Sequence, residues 1–144
     1  MSKDVLISIR SVQNLDGRDN DGPELITQGS YDYAADGARF SYVESELTGL
    51  GGTKTMFQIL PDEVILTRRG AVNARMIFHT GEKRSFHYQT AMGSLSMGVD
   101  THRLFCRMSE HGGELEIEYD LNVEQSFLSR NKFIINVREK ELKS

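Results

Sequence analysis

Apolar and polar residues alternate along most of the chain with a period of two. Val5, Ile7 and Ile9 alternate with Leu6, Ser8 and Arg10, and Phe40, Tyr42 and Glu44 with Ser41, Val43 and Ser45. Thr55, Phe57 and Ile59 lie opposite Lys54 and Gln58, and Val64, Leu66 and Arg68 follow the Leu60-Pro61-Asp62-Glu63 turn. Further on come Met76 and Phe78, then Phe86, Tyr88 and Thr90, then Leu95, Met97, Val99 and Thr101. Leu115, Ile117, Tyr119 and Leu121 alternate with Glu114, Glu116, Glu118 and Asp120, and Phe133, Ile135 and Val137 close the series. Residues two apart in a strand share a face, whereas helical faces recur at three and four. With 26–33 added, the spacing predicts about ten strands, each with one apolar and one polar face.

The chain carries 25 Val, Ile and Thr residues against 6 alanines, a bias that suits a pleated sheet. Glycines fall between the segments at Gly37, Gly49, Gly51, Gly52, Gly70, Gly81, Gly93, Gly112 and Gly113, where turns need them. The one stretch with any helical character, 122–130, reads equally well as a turn. Short consecutive connections favour antiparallel neighbours in chain order, and closing the sheet on itself removes exposed edges. The expected fold is therefore all-β: one domain spanning 1–144, built as a single antiparallel up-and-down barrel of about 8 to 10 strands.

One irregularity interrupts the alternation. Apolar residues occupy odd positions from Leu95 to Thr101 but even ones at Leu104, Cys106 and Met108, so the phase slips near His102 and Arg103. A one-residue slip is the signature of a β-bulge, which bends a long strand at a barrel corner.

Several short motifs stand in a fixed order: Glu44 and Ser45, Thr48-Gly49-Leu50, Thr67-Arg68-Arg69-Gly70, Met76-Ile77-Phe78, Thr90-Ala91-Met92-Gly93-Ser94-Leu95, Thr101, Tyr119-Asp120-Leu121 and Ser129-Arg130-Asn131. In that order and spacing the chain resembles the YwiB-like family of small bacterial proteins of unknown function, over roughly residues 3–140. The resemblance implies a lipocalin- or calycin-like barrel. It implies no activity, because barrels of that kind serve as carriers, inhibitors and enzymes.

Polar residues that fall on the apolar phase mark where chemistry can sit. Glu44, Arg68 and Thr90 each end an inward-facing series, and alternate strands of a meander end at the same mouth. Thr55, opening the intervening strand, arrives there too. The pattern thus predicts a polar cluster of Glu44, Thr55, Arg68 and Thr90 at one mouth, with Tyr42, Tyr88 and Tyr119 deeper and glycines at 49–52, 70 and 93 on the rim. Two readings of this cluster compete. Glu44 and Arg68 pair and plug the barrel, leaving a structural or protein-interaction module, since buried charges are normally paired. Alternatively, the protein is a non-enzymatic carrier in which Arg68 holds the acidic group of a small amphipathic ligand whose apolar part lies against Phe57, Phe78, Phe86 and Met97.

Other chemistries find less support. No second carboxylate is in phase with Glu44, as a glycosidase pair requires, and no nucleophile pairs with a histidine, so no catalytic residue is assigned and enzyme activity is the weakest reading. Cys106 falls on the apolar phase, where thiols are inert. The turn from Gly17 to Gly22 only faintly resembles a calcium loop, and His79 and His87, even as neighbours across a hairpin, are too few for zinc; His102 and His111 read as surface residues. No metal and no cofactor is expected. The charge of -4 and the basic residues scattered among acids speak against nucleic acid. The longest uninterrupted apolar run is three residues, which leaves no membrane segment. One cysteine cannot form an internal disulfide, so a reducing, cytoplasmic location is expected.

Overall fold

In the computed structural model the described residues are 2–15, 18–22, 24–45, 50–124 and 126–140, with 15 and 18–21 described in backbone alone. Thr48, Gly49 and Gly17, the first residue of the Gly17-to-Gly22 turn, fall outside them. The described residues form eleven strands and no helix. These are β1 (Lys3–Leu15), β2 (Arg18–Asp21), β3 (Leu25–Ala34), β4 (Gly37–Val43), β5 (Lys54–Ile59), β6 (Val64–Arg69), β7 (Ala74–Phe78), β8 (Lys83–Thr90), β9 (Gly93–Ser109), β10 (Gly112–Val123) and β11 (Ser126–Glu139).

Every pairing is antiparallel, and the sheet runs β7-β6-β5-β4-β3-β1-β11-β10-β9-β8, with the short β2 folded onto β1. The chain ends therefore meet inside the sheet: β1 bonds β11 from Val5 opposite Glu139 to Asn14 opposite Arg130. The ring closes between β7 and β8, where Asn73 and Gln89 exchange backbone hydrogen bonds of 2.9 and 3.0 Å. The result is an up-and-down barrel of ten strands, closed except along that seam. The 122–130 stretch is the β10–β11 hairpin, with Glu124 at its turn at φ 48°.

The phase slip in β9 is a bulge. Glu118 faces Arg103 and Tyr119 faces Thr101, which leaves His102 as the extra residue. Beyond it β9 runs on past the end of β8, so Cys106 is exposed rather than buried as its phase predicted. Burial nonetheless pushes its thiol pKa up.

Inward-facing residues fill the barrel. Val5, Ile7, Tyr31, Phe40, Phe57, Phe78, Leu115, Ile117 and Ile135 are all buried. Aromatic rings cross the lumen from wall to wall. Phe40 of β4 stacks on Phe57 of β5 at 4.9 Å, Phe57 meets the edge of Phe133 of β11 at 6.1 Å, Phe133 lies 5.7 Å from Tyr119 of β10, and Tyr119 meets Phe78 of β7 at 5.0 Å. Since β5 and β10 stand on opposite sides of the ring, these contacts make the centre a packed core.

Candidate functional site

Tyr42, Thr55 and Arg68 form one cross-strand row, with Tyr42 opposite Thr55 and Thr55 opposite Arg68. Glu44 follows Tyr42 on the same face, just beyond the end of β4. All four reach the same end of the barrel. Glu44 is buried, and its Oε2 accepts a 2.7 Å hydrogen bond from Thr55 Oγ1. Arg68 Nε stands 3.8 Å from that same oxygen, close enough for an ion pair but too far for a hydrogen bond. Although buried, this nitrogen has no hydrogen-bond partner.

The hydroxyls around the pair feel its charge. Burial raises the Tyr42 phenol well above its ordinary range and neighbouring Glu44 raises it further, while Arg68 pulls it back. The fully enclosed Tyr119 is also raised by burial, again opposed by Arg68, which places its phenol within the electrostatic reach of the cluster.

The backbone beneath the cluster is anchored at Thr53, which is completely buried. The Glu44 amide donates to Thr53 O at 2.8 Å, the Gly52 amide to Glu44 O at 3.1 Å, and the Ala71 amide to Thr53 Oγ1 at 3.1 Å. Gly70 has φ +147°, and a Cβ there would stand 2.8 Å from Thr53 Cα. A side chain at 70 would thus displace the segment that positions Glu44.

Thr90 does not join the cluster. Its hydroxyl donates to Gly93 O at 3.4 Å and accepts from the Met92 amide at 3.1 Å, because a threonine beside a two-residue turn bonds its own backbone first. Tyr88 packs, half-buried, against the core from β8 and makes no hydrogen bond to the cluster among the described residues. Nor do His79 and His87 neighbour one another: His87 lies opposite Ser96, and His79 sits in the β7–β8 turn, 3.8 Å from Glu82.

A grouping that the alternation did not disclose lies on the outer wall. Asp100, His102 and Asp120 place one donor atom each within 4.8 Å of one another. The bulge at His102 was visible as a phase slip, but the pairing of Asp100 with Asp120 depends on a register set by the folded hairpin.

Fold and mouth together define a class, the ten-stranded antiparallel β-barrel with a filled lumen and an acid–base pair at one end. More particularly, the chain belongs to the family described as "Domain of unknown function (DUF1934)", which it matches over residues 7–135. It is 29% identical over 119 residues to the "Uncharacterized beta-barrel protein YwiB" of Bacillus subtilis (strain 168), a match covering 83% of this chain and 82% of that protein. The crystal structure of ywiB protein from Bacillus subtilis superposes with a TM-score of 0.86 at 25% identity, covering 97% of this chain and 94% of that one.

Proposed function

We propose that the protein is a non-enzymatic binding barrel that takes the acidic group of a small amphipathic molecule at the Glu44–Arg68 mouth. The observation that carries this reading is the unspent Nε of Arg68. A buried donor on a charged group normally finds an acceptor, and leaving one unmade costs about 1–3 kcal/mol or more. Glu44 does not supply that acceptor, because its nearer oxygen stands 3.8 Å from the nitrogen, beyond hydrogen-bond reach. A guest carboxylate or phosphate provides two oxygens in the geometry a guanidinium fork accepts. The ring contacts across the lumen exclude the deep berth against Phe57 and Phe78, so the guest lies at the mouth. Next to Glu44 and Tyr42, a cleft of about 250 Å³ lined also by Ile9, Glu24, Leu25, Ile26 and Val43 offers apolar wall beside the polar cluster, with Arg68 outside its lining.

Strand order and the pairing of β1 with β11 support a calycin-like reading of the barrel. The single thiol supports a reducing cytoplasm, and no described helix is long and apolar enough to cross a membrane. The filled lumen favours a second reading, in which the pair is only a plug and the barrel a structural or protein-interaction module. Thermal melting of Arg68→Ala separates the two. In the binding reading Glu44 keeps its bond from Thr55, so melting moves little. A plug reading requires the loss of about 3–5 kcal/mol that follows when a buried partner is stranded, and a drop of that size overturns our proposal.

A further inference from the structure

We propose that Asp100, His102 and Asp120 form a binding site for one divalent first-row transition ion on the outer wall of the barrel, independent of the mouth. Three features of the strands converge on it.

The first is register. Asp100 and Asp120 are directly opposite one another on β9 and β10. Like charges in that position are destabilising, so a pair of carboxylates there calls for a cation between them. Arg130, opposite Asp120 on β11, compensates one of the two through a 2.9 Å bond to Asp120 Oδ1. Lys83 stands opposite Asp100 on β8, but among the described residues no hydrogen bond or ion pair joins the two.

The second is the bulge. His102 is the extra residue of β9, and it leaves the ring beside Asp120, with Nε2 2.9 Å from Asp120 Oδ2. Bulges re-aim a side chain in this way. The third is spacing. Donors bound to one ion at about 2.0–2.2 Å stand roughly 3 Å apart when adjacent and about 4.2 Å apart when opposed. The His102–Asp120 distance already matches adjacent ligands, and all three donors fall within 4.8 Å.

The donor set decides the ion. Two carboxylates and an imidazole suit manganese, iron, cobalt or zinc, whereas calcium and magnesium prefer oxygen throughout. Water completes the shell on the exposed side. Arg130 acts as an outer-shell partner, holding the second oxygen of Asp120 while the first faces the ion. The rival account is an ordinary ion pair of His102, Asp120 and Arg130. In that account Asp100 answers only to Lys83 across β8 and takes no part in holding an ion, so the two accounts assign it different roles.

The experiment titrates Co²⁺ into the untagged, chelator-treated protein, following visible absorbance and, in parallel, Zn²⁺ binding heats. Asp100→Asn and His102→Ala are compared with His111→Ala as a surface-histidine control. The expected result is one equivalent bound, at least tenfold weaker binding in the first two variants, and unchanged affinity in the control. Absence of saturable binding, or affinity indifferent to Asp100 and His102, overturns the site. Equal affinity for Ca²⁺ that survives His102→Ala overturns the choice of ion.

Discussion

Thr55 contributes the shortest bond that Glu44 receives, at 2.7 Å in a buried setting. Thr55→Val preserves the shape and removes the donor. Hydrogen bonds to charged groups are worth about 1.5–3 kcal/mol, and that loss is expected in chemical denaturation as a lower midpoint with unchanged slope. Thr67→Val in the neighbouring strand β6, pointing to the opposite face, should be nearly neutral. The tyrosines carry a pH signature of their own. Burial, with smaller contributions from Tyr33 and Cys106, pushes the Tyr31 phenol up to about 12 from its ordinary 10, and its hydroxyl bonds Ser109 O. A pKa raised on folding stabilises fully below the unfolded value and loses that contribution as pH climbs through the folded one. Melting temperature should therefore fall from pH 10 toward 12, and Tyr31→Phe should flatten that limb. An unchanged limb in this variant would contradict the assignment.

Strands differ in how firmly they hold their neighbours. The β1–β11 pairing runs without a break from Val5 to Asn14, whereas the facing edges of β7 and β8 are joined at Asn73–Gln89 and drawn apart toward the turn. On its other edge β8 stays tied to β9 into the turn, where the Gly81 amide donates to Thr101 O at 3.0 Å and the Thr101 amide to Glu82 O at 3.3 Å. Amides protected only by edge bonds open at low cost. Hydrogen exchange in 74–78, at amides not bonded to β6, should precede exchange in β1, β10 and β11 by orders of magnitude. Uniform protection around the ring would refute an open seam.

The elements also show what the chain discloses before it folds. Inward phase alone brought Glu44, Thr55, Arg68 and Tyr42 to one mouth, because strand alternation is local and the connections are short. The bulge at His102 was equally local and equally legible. Thr90 failed for a different local reason, since its hydroxyl satisfies the turn it borders. Cys106 failed because the excess length of β9 over β8 is a property of the pair, not of either strand. Asp100 and Asp120 were invisible as a pair for the same reason: twenty residues separate them, and only hairpin register unites them.

Taken whole, the molecule is a barrel whose centre is committed to packing and whose ends remain for function. The aromatic contacts from Phe40 through Phe57, Phe133 and Tyr119 to Phe78 tie opposite walls together, so the lumen contributes stability and shape. Recognition is left to the rim, where Arg68 stands beside an acid it does not hydrogen-bond. Native mass spectrometry of gently purified protein beside Arg68→Ala tests that division most directly. A bound small molecule of constant mass on the parent, absent from the variant, is the predicted result. Identical spectra for the two, whether both bare or both carrying the same adduct, would contradict it.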